Sequence, residues 1–185
     1  KLPLIVKNNW ELDYDQHQGC EIKGKTMGII GLGFIGFRIA ELGKQMGMNV
    51  IYWSKNSRNE NYEYQELDSL LKNSDFIFPA LARNEETKSI LSNNKLDLIS
   101  QNSFIISIAD ENLFDFEYIY QKIKNKEISG LAMESEKRKM TDYEGNIYIT
   151  PPIAWFTQES SKNVIKQWVE NISSQINNTP KNIVN

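Results

Sequence analysis

Three glycines, Gly31, Gly33 and Gly36, stand in the spacing G-x-G-x-x-G inside the stretch GIIGLGFIGFRIA, Gly28 to Ala40. They follow a short apolar run and open a helical pattern, the setting in which this spacing carries chemistry. The first glycine permits a tight turn, the second lets backbone approach a pyrophosphate, and the third lets helix and strand pack closely. Phosphate oxygens would meet the unpaired N–H groups of the helix start, at Phe34 and Ile35, and the positive end of its dipole. The alternative is a structural turn with no ligand. Other groups suited to chemistry are few. The one histidine, His17, and the one cysteine, Cys20, both precede the glycine turn. His17 is expected at the surface, and Cys20 as a plain loop thiol rather than a reactive one.

A second chemical signal ends the next apolar run. Val50-Ile51-Tyr52-Trp53 leads into Ser54-Lys55-Asn56-Ser57-Arg58. A dinucleotide site for NAD usually carries Asp or Glu here, to accept hydrogen bonds from the ribose hydroxyls. This stretch has none. Ser54, Lys55 and Arg58 suit a 2′-phosphate instead, which favours NADP over NAD. The alternative is a solvated turn with chance charges. The Lys137-Arg138-Lys139 run is expected to be a solvated loop, and Asn171-Ile172-Ser173 a chance match to a glycosylation sequon.

Strands alternate with helices in the elements that would position these groups. Strand patterns cover Thr26 to Ile30, Asn49 to Trp53, Asp75 to Phe78 and Ser103 to Ile108, with two more at Ser129 to Met133 and Asn146 to Thr150. Helical spacing covers Phe34 to Met46, with Ile35, Ile39 and Leu42 on one face. It recurs over Leu67 to Leu71, Glu85 to Leu91, Lys95 to Ile99 and Leu113 to Lys124. The last helix, Gln158 to Ile176, carries Val164, Trp168, Ile172 and Ile176 in an i+4 ladder. Aromatic side chains on these helices are expected in the core. The pattern predicts an α/β fold, a Rossmann-type doubly wound parallel sheet in a single domain. Residues 25–185 would form the dinucleotide-binding domain with its C-terminal helix, and residues 1–24 an arm or linker remnant.

Composition narrows the classes. The 185 residues carry 40% hydrophobic and 24% charged side chains and a net charge of −3, which gives no basic footprint for nucleic acid. No apolar run reaches membrane-spanning length, no signal peptide is recognisable, and one cysteine excludes an internal disulfide. A cytoplasmic protein with neither membrane nor nucleic-acid partner, and no metal, is the expectation. The opening KLPLIV lacks a methionine, as a piece of a longer protein or an arm over a neighbour would.

The chain resembles the nucleotide-binding domain of the D-isomer-specific 2-hydroxyacid dehydrogenases. The resemblance rests on EIKGKTMGIIGLGFIG (Glu21 to Gly36), ELDSLLKNSDFIF (Glu66 to Phe78), NEETKSILS (Asn84 to Ser92) and LFD (Leu113 to Asp115). KNKEISGLAM (Lys124 to Met133), YITPPIAWFTQES (Tyr148 to Ser160) and the closing PKNIVN complete it. It implies a homodimer, reversible hydride transfer between a small 2-hydroxy acid and a nicotinamide, and a substrate-binding domain that this chain is expected to lack. It also places Ala80, Leu81, Ala82, Thr87, Ile108, Ala109, Asp110 and Glu134 along the cofactor. Ala80-Leu81-Ala82 stands where the family has His-x-Pro, and Glu134 where it has Asp.

The same resemblance locates a catalytic arginine, glutamate and histidine, and none is present. Asp110 takes the arginine's place in Ala109-Asp110-Glu111-Asn112, Pro152 the histidine's in Thr150-Pro151-Pro152, and Lys139 the glutamate's. Proline has no proton to give. Asp110 would repel a carboxylate that arginine would attract, each interaction being about 4 kcal/mol at ~4 Å and an effective dielectric of about 20. Lys137 or Lys139 could act as a substitute acid only if burial lowered its pKa. Three readings follow. The first is a dehydrogenase-like NADP(H)- or NAD(H)-binding protein without the usual hydride transfer. The second is an active NADP(H)-dependent 2-keto acid reductase, of glyoxylate or hydroxypyruvate type, with relocated catalytic groups. The third is a non-catalytic dimerisation or regulatory module.

Overall fold

The apolar pentapeptide Thr26–Ile30 (β1) has its side chains alternating between two covered faces, the arrangement of a central parallel strand. Met27 and Ile29 join one buried cluster, with Ala40, Met48 and Tyr52. Ile30 joins the other, with Leu70, Ile77, Ile105 and Ile119. This is a computed structural model, and it describes residues 19–82, 84–88 and 90–183. His17 and residues 1–18 of the expected arm lie outside the described residues.

After β1 come α1 (Phe34–Gln45), β2 (Asn49–Trp53), β3 (Glu63–Tyr64), α2 (Leu67–Asn73), β4 (Phe76–Pro79), α3 (Asn93–Leu96) and β5 (Phe104–Ser107). Then follow α4 (Phe116–Lys124), β6 (Gly130–Glu134), a 3-10 turn (Met140–Asp142), β7 (Ile147–Thr150) and α5 (Gln158–Ile176). The sheet runs β3-β2-β1-β4-β5-β6-β7, and every pairing is parallel. Strand order reverses between β1 and β4, the switch point where such sheets bind ligands beyond the strands' carboxyl ends. The doubly wound fold expected from the alternating pattern is therefore present.

Several local expectations are corrected. The apolar face expected for α1 is split: Ile39 packs against the buried cluster, but Ile35 and Leu42 are exposed, as are Phe34 (84%) and Met46 just past the helix. Gly36, Ala40 and Gly43 face the sheet instead. A stripe of small side chains lets the helix axis come closer to β1 than an Ile–Leu stripe would. Glu85 to Lys88 and Ile90 lie in turns and Leu91 forms an isolated bridge to Phe114, where a helix is expected, because Asn84 and Thr87 hold the backbone. The Thr87 hydroxyl accepts from the Asn84 N–H (2.8 Å) and donates to the Ala82 carbonyl (2.7 Å). Helix α4 begins at Phe116, three residues after the expected Leu113, since Asp115 caps it by accepting from the Tyr118 N–H at 3.1 Å.

The chain divides into two units, residues 1–150 and Pro151–Asn185. In the second, Thr157 caps α5 by accepting from the Ser160 N–H at 3.0 Å. The whole Val164, Trp168, Ile172 and Ile176 ladder is exposed, so the aromatic Trp168 is not in the core as expected; this unit holds no second helix or strand among its described residues to cover it.

An ion cluster joins α4 to the α3 end. The Lys122 side chain, 12% exposed, lies 2.9 Å from both Asp97 and Glu127, and the Tyr118 hydroxyl donates to Asp97 at 2.6 Å. Burial pulls the Lys122 ammonium down, but its bonds to Glu127 and Asp97 outweigh this and leave it raised. The Tyr118 hydroxyl, then Lys122, hold Asp97 below the usual carboxylate range; Lys122, then Asn125, do the same for Glu127. Lowered carboxylates stabilise the fold fully above their unfolded values, near pH 4, and lose that contribution as pH falls through the folded ones. A raised lysine stabilises below about pH 10.4 and loses its contribution as pH rises through its folded value. Lys122→Met is therefore expected to melt a few degrees lower at pH 7 and to show a shallower fall in Tm between pH 5 and 3. Parallel acid limbs in the two proteins' melting profiles would contradict this.

Candidate dinucleotide-binding site

The glycine turn connects β1 to α1 at the switch point. Gly31 sits at φ +98°, where side chains are strained, and a Cβ there would come 2.9 Å from the Leu81 Cβ and 3.0 Å from the Ala80 carbonyl oxygen. Its N–H donates to the Trp53 carbonyl at 2.8 Å, while the Ala80 N–H donates to the Ile30 carbonyl at 2.8 Å. The turn is thus fastened to β2 on one side and to β4 on the other. At Gly36 a Cβ would stand 2.0 Å from the Gly31 carbonyl oxygen. At Gly33 it would meet nothing within 4 Å. Two glycines make the turn possible, and the middle one leaves its outer face bare.

Gly33 is also the N-cap of α1, with no side chain capping the helix and no acid in its first turn. The N–H groups of Phe34, Ile35 and Gly36 have no intrahelical acceptor, and the first helical bond runs from the Phe37 N–H to the Gly33 carbonyl at 2.9 Å. An open cleft of about 570 Å³ lies here, lined by Leu32, Gly33, Phe34, Phe37 and Arg38. Uncapped donors and a positive dipole end beside open space suit an anion.

Beyond β2, the three residues expected at a 2′-phosphate differ in their engagement. Ser54 is buried, and its hydroxyl accepts from the Ser57 N–H at 3.2 Å. Arg58 donates to the carbonyls of Ser54 (2.9 Å) and Ser57 (3.0 Å), with its guanidinium 3.9 Å over the Tyr64 ring. Lys55 pairs with Glu86 at 2.8 Å, both side chains more than half exposed. Neither Tyr64 nor Glu86 is flagged by sequence spacing: one lies on the two-residue strand β3, the other in a turn the pattern assigns to a helix.

The carboxyl ends of β4, β5 and β6 continue the same edge. Ala80, Leu81 and Ala82 follow β4, with Leu81 packed against the core and Thr87 engaged in the turn bonds described above. Ile108, exposed, and Ala109 follow β5. Asp110 accepts from both the backbone and side-chain nitrogens of Asn112 at 2.8 Å. Glu134 ends β6, in register with Thr150. The structure thus ranges Gly31 to Gly36, Ala80 to Ala82, Ile108 to Asp110 and Glu134 along one sheet edge. Pro152 belongs to the second unit.

Arg138 is not the solvated charge expected of its run. It donates to Glu111 at 2.9 Å and lies 4.4 Å over the Phe116 ring, and Ser135 donates to the same carboxylate. Glu111 is only 14% exposed. Lys137, 76% exposed, stands 3.7 Å from Glu111, and Lys139 is exposed, so neither has the burial a substitute acid would need. Chain separation hides this cluster from any local pattern. Arg138→Ala should cost about 1–2 kcal/mol, discounted for partial exposure, by leaving Glu111 short of its main partner. Adding Glu111→Gln should recover part of that loss. A neutral Arg138→Ala in urea unfolding would sink this assignment.

Residues 4–153 match the family model described as D-isomer specific 2-hydroxyacid dehydrogenase, NAD binding domain. A glyoxylate reductase of Aeropyrum pernix is 27% identical over 180 residues, covering 90% of this chain and 53% of that protein. A glyoxylate reductase of Pyrococcus horikoshii is 32% identical over 130 residues, covering 68% of this chain and 37% of that protein. An acyclic imino acid reductase solved with NADPH and D-Arg aligns at TM-score 0.89 and 27% identity, covering 100% of this chain and 61% of its own. The D-lactate dehydrogenase of Aquifex aeolicus, solved with NAD and lactic acid, shares the fold at TM-score 0.84 and 22% identity, covering 96% of this chain and 61% of its own. The chain spans about half the length of curated relatives such as the Aeropyrum enzyme. With the parallel sheet, the glycine turn and this match in agreement, the chain belongs to the D-isomer specific 2-hydroxyacid dehydrogenase family, through its NAD-binding domain.

Proposed function

We propose that this chain binds a nicotinamide dinucleotide along the carboxyl edge of its sheet, prefers NADP(H), and lacks the family's usual hydride transfer. The observation that carries the reading is the glycine turn: fastened on both sides, closed to a Cβ at Gly31 and Gly36, and open at Gly33 over an uncapped helix start. The backbone N–H groups of Phe34 and Ile35 would hold the pyrophosphate. Lys55 and Arg58, with Ser54 shaping their loop, would face the 2′-phosphate. Ala80 to Ala82, Thr87, Ile108 to Asp110 and Glu134 would lie along the rest of the molecule. In the family, the bound nicotinamide supplies or accepts a hydride.

For that chemistry this chain offers little. Asp110 and Glu111 put two carboxylates beyond β5, where the family's arginine would draw in an acidic substrate, and the nearby Arg138 is held by Glu111. The reading of an active 2-keto acid reductase draws support from the glyoxylate reductases among the relatives, but the exposed Lys137 and Lys139 are poor substitute acids. The outward apolar stripe of α1, Phe34, Ile35, Leu42 and Met46, favours pairing with a second copy, and hence a homodimer. Residues 25–185 would form the nucleotide module and residues 1–24 its arm. No helix among the described residues is long and apolar enough to cross a membrane. The single cysteine suits a reducing, cytoplasmic setting.

Calorimetric titration with NADPH and NADH tests the reading. Micromolar binding with NADPH the tighter is expected, together with no NADPH oxidation in the presence of glyoxylate or hydroxypyruvate. Tighter NADH would remove the 2′-phosphate assignment, and turnover of either acid would favour the reductase.

A further inference from the structure

The sheet order places β1 between β2 and β4, so the loops after β2 and β4 stand on either side of the glycine turn. Among the described residues, an ion pair joins those two loops, Lys55 to Glu86 at 2.8 Å. Of the three groups beyond β2, Ser54 is turned inward and Arg58 is fixed by two carbonyls and the Tyr64 ring. Lys55 is the cation on a flexible stem, and a carboxylate from the neighbouring loop holds it. Both side chains are more than half exposed, which makes the pair weak and readily exchanged.

From this geometry we infer that Glu86 sets the cofactor selectivity of the site, by competing with the 2′-phosphate for Lys55. The inference rests on the dinucleotide reading above. A phosphate monoester carries about −1.5 to −2 charge at neutral pH against −1 for Glu86, so it displaces the carboxylate, but against its resistance and repulsion. A ribose 2′-hydroxyl brings no charge and has no such contest for Lys55. Glu86 therefore narrows the gap between NADPH and NADH, and its removal widens it.

The test titrates the wild-type chain, Glu86→Gln, Lys55→Gln and the double variant with NADPH and NADH by calorimetry, with circular dichroism to check the fold. Glu86→Gln is expected to bind NADPH about five-fold tighter while NADH stays within about two-fold. In the Lys55→Gln background the NADPH gain should fall below about two-fold, since there is no lysine to release. Equal gains for both nucleotides, or a full NADPH gain without Lys55, overturn the inference and leave the dinucleotide reading standing. A folded wild-type chain that binds neither nucleotide overturns both.

Discussion

Gly36→Ala is expected to lower stability by about 3 kcal/mol or more, at the upper end of what forcing an extra methyl into a packed site costs. The added Cβ would sit 2.0 Å from the Gly31 carbonyl oxygen, a backbone atom with no rotamer to escape into. The turn cannot retreat freely, because Gly31 is bonded to Trp53 and the Ala80 backbone and Leu81 Cβ crowd its other side. Helix α1 would have to lift off β1, losing the close approach that Ala40 and Gly43 also serve. For a chain of this size the loss corresponds to a fall of roughly 6–12 °C in Tm. Thermal melting followed by circular dichroism reads it directly. A Tm within about a degree of wild type would mean that the turn tolerates a side chain, and the close-packing account would be wrong.

Gly33→Val should do the opposite. No heavy atom lies within 4 Å of a Cβ at this position, and φ −81°, ψ −163° is extended backbone that valine adopts readily. The fold should therefore be kept, with Tm changed by less than about 2 °C. Dinucleotide affinity should fall about 100-fold or more, because branched methyl groups would occupy the space a pyrophosphate needs above the helix start. Calorimetric titration with NADPH measures the loss. Unchanged affinity would show that any bound dinucleotide rests somewhere other than this turn. Two glycines three residues apart in one motif are thus predicted to separate folding from binding.

How far such features can be read from sequence depends on what holds each one. Strands β1 and β2 were legible because continuous apolar runs report burial directly, and helix α5 because i+4 spacing reports its period, although its ladder is exposed. The glycine turn was legible because its requirement is local: a positive φ, an open approach and a close contact, all within six residues. The orientation of α1 was not. Its apolar stripe and its small-residue stripe have the same period, and size rather than hydrophobicity decides which one meets the sheet. The turn at Asn84 to Thr87 was hidden because side-chain bonds to the backbone override helical spacing. The pairs Lys55–Glu86 and Glu111–Arg138 join segments far apart in the chain, and only the sheet order brings them together.

The fastening of the glycine turn to both neighbouring strands also bears on the speed and heat of binding. A cradle that already exists before a ligand arrives has no segment left to order, so little conformational entropy is given up on binding. Association at this turn then depends on encounter and orientation rather than on a loop folding around its guest. The heat-capacity change should be that of the surface covered and no more, without the excess that accompanies coupled folding. Held by Trp53 at the end of one strand and crowded by Ala80 just past the next, the β1 turn is finished before any ligand arrives.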